Sequence, residues 1–150
     1  MRSNTLRTAL TLCAVASLAA ATAPASASPA ASPQGQRTDA PVIVDCTWQA
    51  QVRPTDFLLA CGDGNSRLTS LNWSQWGPNT AVATGTSWVN DCKPYCAAGK
   101  FRSYPVTVRL DKPQSWSKHQ DRQHYTRITL TYPDSHPEAF RPVTTTPLWN

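Results

Sequence analysis

The chain has 150 residues, of which 40% are hydrophobic and 15% charged, and its formal net charge is +5. Its 14 lysines and arginines are scattered, without the block of five or six basic residues that is typical of a nucleic-acid-binding arm. We therefore expect no nucleic-acid partner.

The N-terminus has the three parts of a secretory signal peptide. Two arginines supply a charged region, residues 9–21 form an apolar run, and small residues follow it. We predict a signal peptide over residues 1–27, with cleavage after Ala27 and Ala25 as the alternative. The apolar run is shorter than the roughly 20 residues of a membrane-spanning helix. We therefore expect a secreted, extracellular protein without membrane contact after cleavage.

The cysteines outside the signal peptide indicate disulfides, since an even number is typical of small exported domains. Cys13 lacks the preceding small residue of a lipoprotein signal, and cleavage after Ala27 would remove it. The cysteines that remain are Cys46, Cys61, Cys92 and Cys96. Of three possible pairings we favour Cys46–Cys61 with Cys92–Cys96. The first closes a separation that contributes roughly 3 kcal/mol in the chain-entropy model, and the second closes a short loop. The spacing does not resemble a zinc site, so we predict neither metal nor cofactor.

The region after the signal peptide begins without periodicity. Residues 28–40 are rich in alanine, proline and serine, which predicts a flexible leader before a β-domain at residues 41–132. Apolar residues at 57–61 suit a strand. The Asp63-Gly64 pair after it is a hairpin turn signal, because it supplies the positive φ that a tight turn needs.

The rest of the domain reads as short strands separated by breakers. Strands are predicted at residues 68–76, at 80–89 with Gly85 marking a bulge, at 101–110 with Pro105 near an open edge, and at 124–132. Residues 111–123 are predicted to form a polar loop, and residues 133–150, with four prolines, a C-terminal tail. No window shows a helical period. We predict an all-β fold, a small disulfide-stapled antiparallel sandwich or open barrel of about five to seven short strands.

Three motifs resemble a group of small exported proteins of filamentous actinobacteria. They are CGDGN at residues 61–65, WSQWG at 73–77 and NDCKPYCAAGKFRSYPV at 90–106. The match covers about a third of the chain, and Tyr95 departs from it because a small residue is usual there. The resemblance implies secretion. It carries over no catalytic residue, because members of the group are generally described as uncharacterised secreted proteins.

No set of residues marks a catalytic centre. His119, Asp121 and His124 have a spacing that could supply a metal ligand or an acid–base pair, but loop histidines without a role are commoner. The Asp63-Gly64 turn lacks the closing carboxylate of a calcium loop. No pair of carboxylates has the apolar flanks expected of a glycosidase acid. We assign no catalytic residue and no metal site.

The tryptophans give the strongest functional indication, because exposed rings on a β-surface stack on sugars or anchor a protein partner. Trp73 and Trp76 are three residues apart, so on a regular strand they point to opposite faces. Trp116 lies in the predicted polar loop and is expected to be partly exposed. We take these three as candidate binding residues.

Two classes of function follow. The first is a secreted, non-enzymatic binding or surface-associated domain, whose ligand is a polysaccharide bound by exposed tryptophans or a protein. The second is an extracellular protein inhibitor that presents Lys93 and Tyr95 on the Cys92–Cys96 loop, or a small extracellular enzyme that gathers the histidines above in one cleft.

Overall fold

The computed structural model describes residues 40–149 of the chain, and this part contains eight β-strands. The predicted signal peptide, residues 1–27, and all but the last residue of the predicted leader lie outside the described residues. The strands are β1 (Ile43–Val44), β2 (Ala50–Gln51), β3 (Phe57–Leu58), β4 (Ser66–Trp76), β5 (Ala81–Asn90), β6 (Phe101–Trp116), β7 (His119–Thr131) and β8 (Val143–Pro147), with one 3₁₀ turn at Cys96–Ala98.

Six strands, β3 to β8, form one curled antiparallel sheet in which neighbours in the sheet are also neighbours along the chain. β1 and β2 form a small separate antiparallel sheet. The all-β prediction is confirmed, and of its two architectures the open barrel is present, as a half-barrel. β6 and β7, with 16 and 13 residues, are longer than the short strands that we predicted.

Two irregularities in β4 contribute to the curl of the sheet. The register with β5 shifts once after Thr69 and again after Trp73, and such bulges bend a strand and increase its twist. Gly85 of β5 lies beside the first shift, where a Cβ would come within 2.8 Å of the Leu71 Cδ2 atom. The bulge expected at Gly85 is therefore in the neighbouring strand, and the glycine makes room for it.

The concave face of the half-barrel holds the main hydrophobic core. Alternate residues of β5, β6 and β7 point into it, as the two-residue period of a strand requires. They are Ala81, Ala83, Val106, Val108, Leu110, Ile128 and Leu130. The alternation predicted at residues 101–110 and 124–132 is thus confirmed. Pro105 lies in the part of β6 that precedes the pairing with β7, which begins at Thr107. At Pro105, β6 therefore pairs only with β5.

A second hydrophobic cluster forms where the N-terminal segment meets the far end of the β6–β7 hairpin. Its buried members, which define the second cluster, are Val42, Val44 and Trp116. Val42 forms a parallel bridge with His124. Since side chains alternate along β1, Ile43 points into the main core instead. The N-terminal segment therefore joins the two hydrophobic clusters.

The prediction of a polar loop at residues 111–123 is wrong, because this segment is the end of a long hairpin. β6 runs to Trp116 and β7 begins at His119, which leaves Ser117 and Lys118 as the turn. A polar segment can form such a ribbon, since paired strands satisfy each other's backbone groups while one face stays in water. The burial of Trp116 in the second cluster holds the ribbon against the domain.

The free C-terminal tail predicted at residues 133–150 is also wrong. The chain returns as β8 and pairs with β7 from Arg127 to Thr131. The threonines of β8 favour extended structure, and its proline is its last residue, where an edge strand tolerates one. Trp149 then stacks on Phe57 of β3, with ring centroids 5.9 Å apart. The stack joins the two edges of the half-barrel, so the domain does not end at residue 132.

Both disulfides have the predicted pairing. Cys46–Cys61 ties the N-terminal segment to the turn after β3, and Cys92–Cys96 closes the connection between β5 and β6. Disulfides are typical of oxidising, extracellular compartments. Over residues 40–149 we find no helix with the length and apolar character needed to cross a membrane.

Candidate binding site

The connection between β5 and β6, residues 91–100 and hereafter the cysteine loop, is braced by the side chain of Asn90. Its Oδ1 accepts the N–H of Cys92 at 3.1 Å, and its Nδ2 donates to the carbonyl of Cys96 at 2.8 Å. Gly99 packs against this amide so closely that a Cβ would overlap Asn90 Oδ1 and lie 2.8 Å from Cys92 N. Polar contacts and a disulfide therefore set the shape of the loop, whose 3₁₀ turn has no buried residue.

Asp91 forms a second brace. Its Oδ1 accepts the backbone N–H of Lys100 at 2.8 Å and that of Lys93 at 3.2 Å, while its Oδ2 accepts Arg102 Nε–H at 3.2 Å. These bonds, above all the one from Lys100, hold the pKa of Asp91 below its usual value. Both carboxylate oxygens are thus engaged in holding the loop and the start of β6.

A cleft of about 520 Å³ opens between the cysteine loop and the segment that joins β7 to β8. Ligand sites have volumes of roughly 300–1,000 Å³. The register pairs Ser87, which is buried on the concave side, with Tyr104, and pairs Val89 with Arg102. Since side chains alternate along a strand, Tyr104, Val89 and Arg102 lie on the same concave face as Ser87. The cleft is therefore one end of the half-barrel's interior. The other lining residues are Asn90, Asp91, Lys93, Pro137, Glu138 and Ala139.

One ion pair spans the cleft. Lys93 of the cysteine loop contacts Glu138 of the β7–β8 connection, and this hydrogen bond raises the pKa of Lys93 above its usual value. The two side chains are 65% and 82% exposed. Because water and salt screen such a pair, it holds the two walls together only weakly.

Tyr95 is the most exposed large hydrophobic side chain within residues 40–149, at 64%. It directly precedes the 3₁₀ turn of the cysteine loop. Two of the residues singled out from the sequence, Lys93 and Tyr95, therefore share one braced loop beside the cleft.

Trp73 and Trp76 lie on the same face, so the prediction of opposite faces is wrong. The bulge after Trp73 adds one residue between them, and their ring centroids lie 4.6 Å apart with planes at 81°. Both pack against the main core. Their indole N–H groups donate to the carbonyls of Pro54 at 2.8 Å and Pro41 at 3.0 Å. The two tryptophans thus hold loops against the sheet.

Trp116 is 1% exposed, so the prediction that it is partly exposed is wrong. The N-terminal segment covers it, and its Nε1 has no hydrogen-bond partner among the described residues. Its ring packs against other side chains on the hairpin and offers no open face to a ligand.

The two histidines considered as candidates flank Trp116 and do not line the cleft. His119 is exposed, and its ring centroid lies 4.3 Å from that of Trp116. His124 is 1% exposed, and burial lowers its pKa. Asp121 is exposed on β7. Across residues 40–149, no group of three or more His, Cys, Asp or Glu side chains is placed to hold a metal ion.

Apart from Lys93, the residues that line the cleft were not identified as binding residues from the sequence. Those with polar side chains are Asn90, Asp91, Arg102, Tyr104 and Glu138. Asn90 and Asp91 precede the cysteine pair, and short polar side chains in that position commonly brace turns. That signal was present. No local signal could identify Glu138, because it lies 45 residues from Lys93 in the chain.

Comparison of the chain with protein-family models, curated proteins and solved structures finds no match.

Proposed function

We propose that this protein is exported and is a non-enzymatic binding domain, with a protein ligand held by the cysteine loop and the adjoining cleft. The observation that carries the proposal is the exposure of Lys93 and Tyr95, at 65% and 64%, on a loop braced by Asn90, Asp91 and a disulfide.

A braced loop favours binding because less conformational entropy is lost when the complex forms. Tyrosine supplies a large contact area with few rotatable bonds, and it recurs among the residues that dominate the free energy of protein binding. Lys93 adds a charge that guides association and favours partners of complementary charge.

A polysaccharide bound by tryptophan rings has less structural support. Trp116 is buried, and Trp73 and Trp76 pack edge to face against each other and the core. Stacking on a sugar requires an open ring face, and the cysteine loop offers Tyr95 for contact instead.

Export is supported by two independent features of the chain. Residues 1–27 have the pattern of a signal peptide. The disulfides fit an oxidising compartment.

The experiment is selection of peptides from a random phage-displayed library on immobilised wild-type protein. We expect selected peptides to bind Tyr95→Ala about tenfold more weakly, as loss of a central tyrosine commonly does. Trp48→Ala is the matched control. Trp48 is 40% exposed but lies under Lys118 at the tip of the β6–β7 hairpin, so its loss should not change binding.

Two parallel measurements test the other ligands. Inhibition of a trypsin-like protease that disappears in Lys93→Ala would support the proposal and narrow the ligand to proteases. Retention on chitin, cellulose or peptidoglycan that is unchanged in Tyr95→Ala would overturn it, as would a library that yields no Tyr95-dependent peptide.

A further inference from the structure

We infer that the cleft binds a carboxylate of its protein ligand, so that the ligand is an acidic peptide segment, and that Glu138 occupies the place of this carboxylate in the free protein. The inference rests on the proposed function, because it names the ligand class of the same site.

Arg102 has unused hydrogen-bonding capacity directed to the concave face. Its Nε–H donates to Asp91, whereas its two terminal nitrogens make no hydrogen bond or ion pair with any residue from 40 to 149. A guanidinium carries five N–H donors in a planar fork that matches a carboxylate. The terminal part of Arg102 therefore remains available to a ligand carboxylate.

The two carboxylates of the cleft differ in how firmly they are held. Asp91 accepts two backbone N–H groups and Arg102 Nε–H, so it cannot leave without disturbing the loop. Glu138 is 82% exposed, and its one polar contact within the described residues is with Lys93. Glu138 is therefore the carboxylate that a ligand can displace.

Displacement of Glu138 leaves a site with an excess of donors. It consists of the Lys93 ammonium, the Arg102 guanidinium and the hydroxyl of Tyr104. The ring of Tyr104 packs against Tyr132, but its hydroxyl has no hydrogen bond to the residues described. Charge-assisted bonds from such donors are stronger than neutral ones. Because Asp91 is already engaged, a basic ligand would find no free carboxylate other than Glu138. Charge complementarity thus favours an acidic ligand.

The test uses the peptides that the random library yields on the wild-type protein. We expect them to share an Asp or Glu, and we expect synthetic versions with the matching amide to bind about tenfold more weakly. Arg102→Gln and Lys93→Gln should each lower the affinity for the acidic peptides by a similar factor. Glu138→Gln should raise the affinity for these peptides about two- to fivefold, since it removes the exposed carboxylate that competes with the ligand for Lys93.

Lys100→Gln is the control for charge alone. It removes one positive charge from the same loop, but the Lys100 side chain does not line the cleft, so affinity should change less than about twofold. Because Arg102 also bonds Asp91, the amide NMR signals of Lys93 and Lys100 report whether the loop of Arg102→Gln keeps its shape. Lys93→Gln leaves that side-chain bond intact and serves as the second variant.

The outcomes separate this inference from the proposed function. Peptides that depend on Tyr95 but share no carboxylate would overturn the acidic-ligand inference and leave the binding domain standing. An unchanged or weaker affinity of Glu138→Gln for acidic peptides would overturn the role of Glu138. The absence of any Tyr95-dependent peptide would overturn both proposals.

Discussion

The cysteine loop and the second cluster lie at opposite ends of β6 and are stabilised in opposite ways. In the loop, Asn90 and Asp91 hold the backbone by hydrogen bonds, and no residue of the 3₁₀ turn is buried. In the second cluster, Trp116 is buried by the valines of the N-terminal segment. Polar bracing of the backbone leaves Tyr95 free for a ligand, whereas burial uses the Trp116 side chain for stability.

The largest effect should come from removing the central side chain of the second cluster. We expect Trp116→Ala to lower the free energy of unfolding by about 3–5 kcal/mol, the usual result of truncating a buried aromatic ring. Chemical denaturation of the wild type and the variant measures the difference. Trp48→Ala should change stability by less than about 1 kcal/mol, because that ring is 40% exposed. Equal losses in the two variants would contradict the inference that burial of Trp116 stabilises the second cluster.

A smaller loss of stability is expected from adding a methyl group inside the cysteine loop. In Gly99→Ala the new methyl group would overlap the Asn90 amide, so Asn90 or the backbone must shift. We expect a loss of about 1–3 kcal/mol and weaker peptide binding. Gly62→Ala is the matched control, because its Cβ would meet nothing within 4 Å. If Gly99→Ala keeps wild-type stability and binding, the Asn90 brace does not set the loop.

The third prediction concerns the pH dependence of stability and rests on His124, whose ring centroid lies 6.3 Å from that of Trp116. Burial lowers the pKa of His124 in the folded protein, whereas in the unfolded chain it is about 6.5. As pH falls below about 6.5, His124 therefore takes up a proton more readily in the unfolded chain than in the folded protein. The stability that comes from neutral His124 is fully present above that pH and is progressively lost below it. Urea unfolding from pH 8 to pH 5 measures this loss.

His124→Gln should unfold with a smaller pH dependence over that range. The aspartates with lowered pKa values, such as Asp91, affect stability only at lower pH, near or below their ordinary value of about 3.9. An unchanged slope in His124→Gln would show that burial of this imidazole does not shift its titration.

The features that could be predicted from the sequence depend on neighbours in the chain. Alternation placed Ile128 and Leu130 on the core face, and the cysteine spacing favoured the observed disulfides. Distant contacts could not be predicted in this way. Trp116 is in a polar segment and is buried only because the N-terminal strand reaches it. A single inserted residue in β4 turned Trp73 and Trp76 to one face. For the site, the exposed loop was predictable, but the wall that carries Glu138 was not.

The closure of the half-barrel by Trp149 has a consequence for the order of folding. Strands β3 to β8 each pair with the next one, so their hairpins form from contacts that are close in sequence. The indole N–H of Trp149, in contrast, bonds the carbonyl of Asp45, 104 residues away in the chain. Distant contacts carry a larger loop-closure entropy, and proteins rich in them fold more slowly. The cysteine loop is therefore expected to take shape early, and the second cluster and the barrel edges to assemble last.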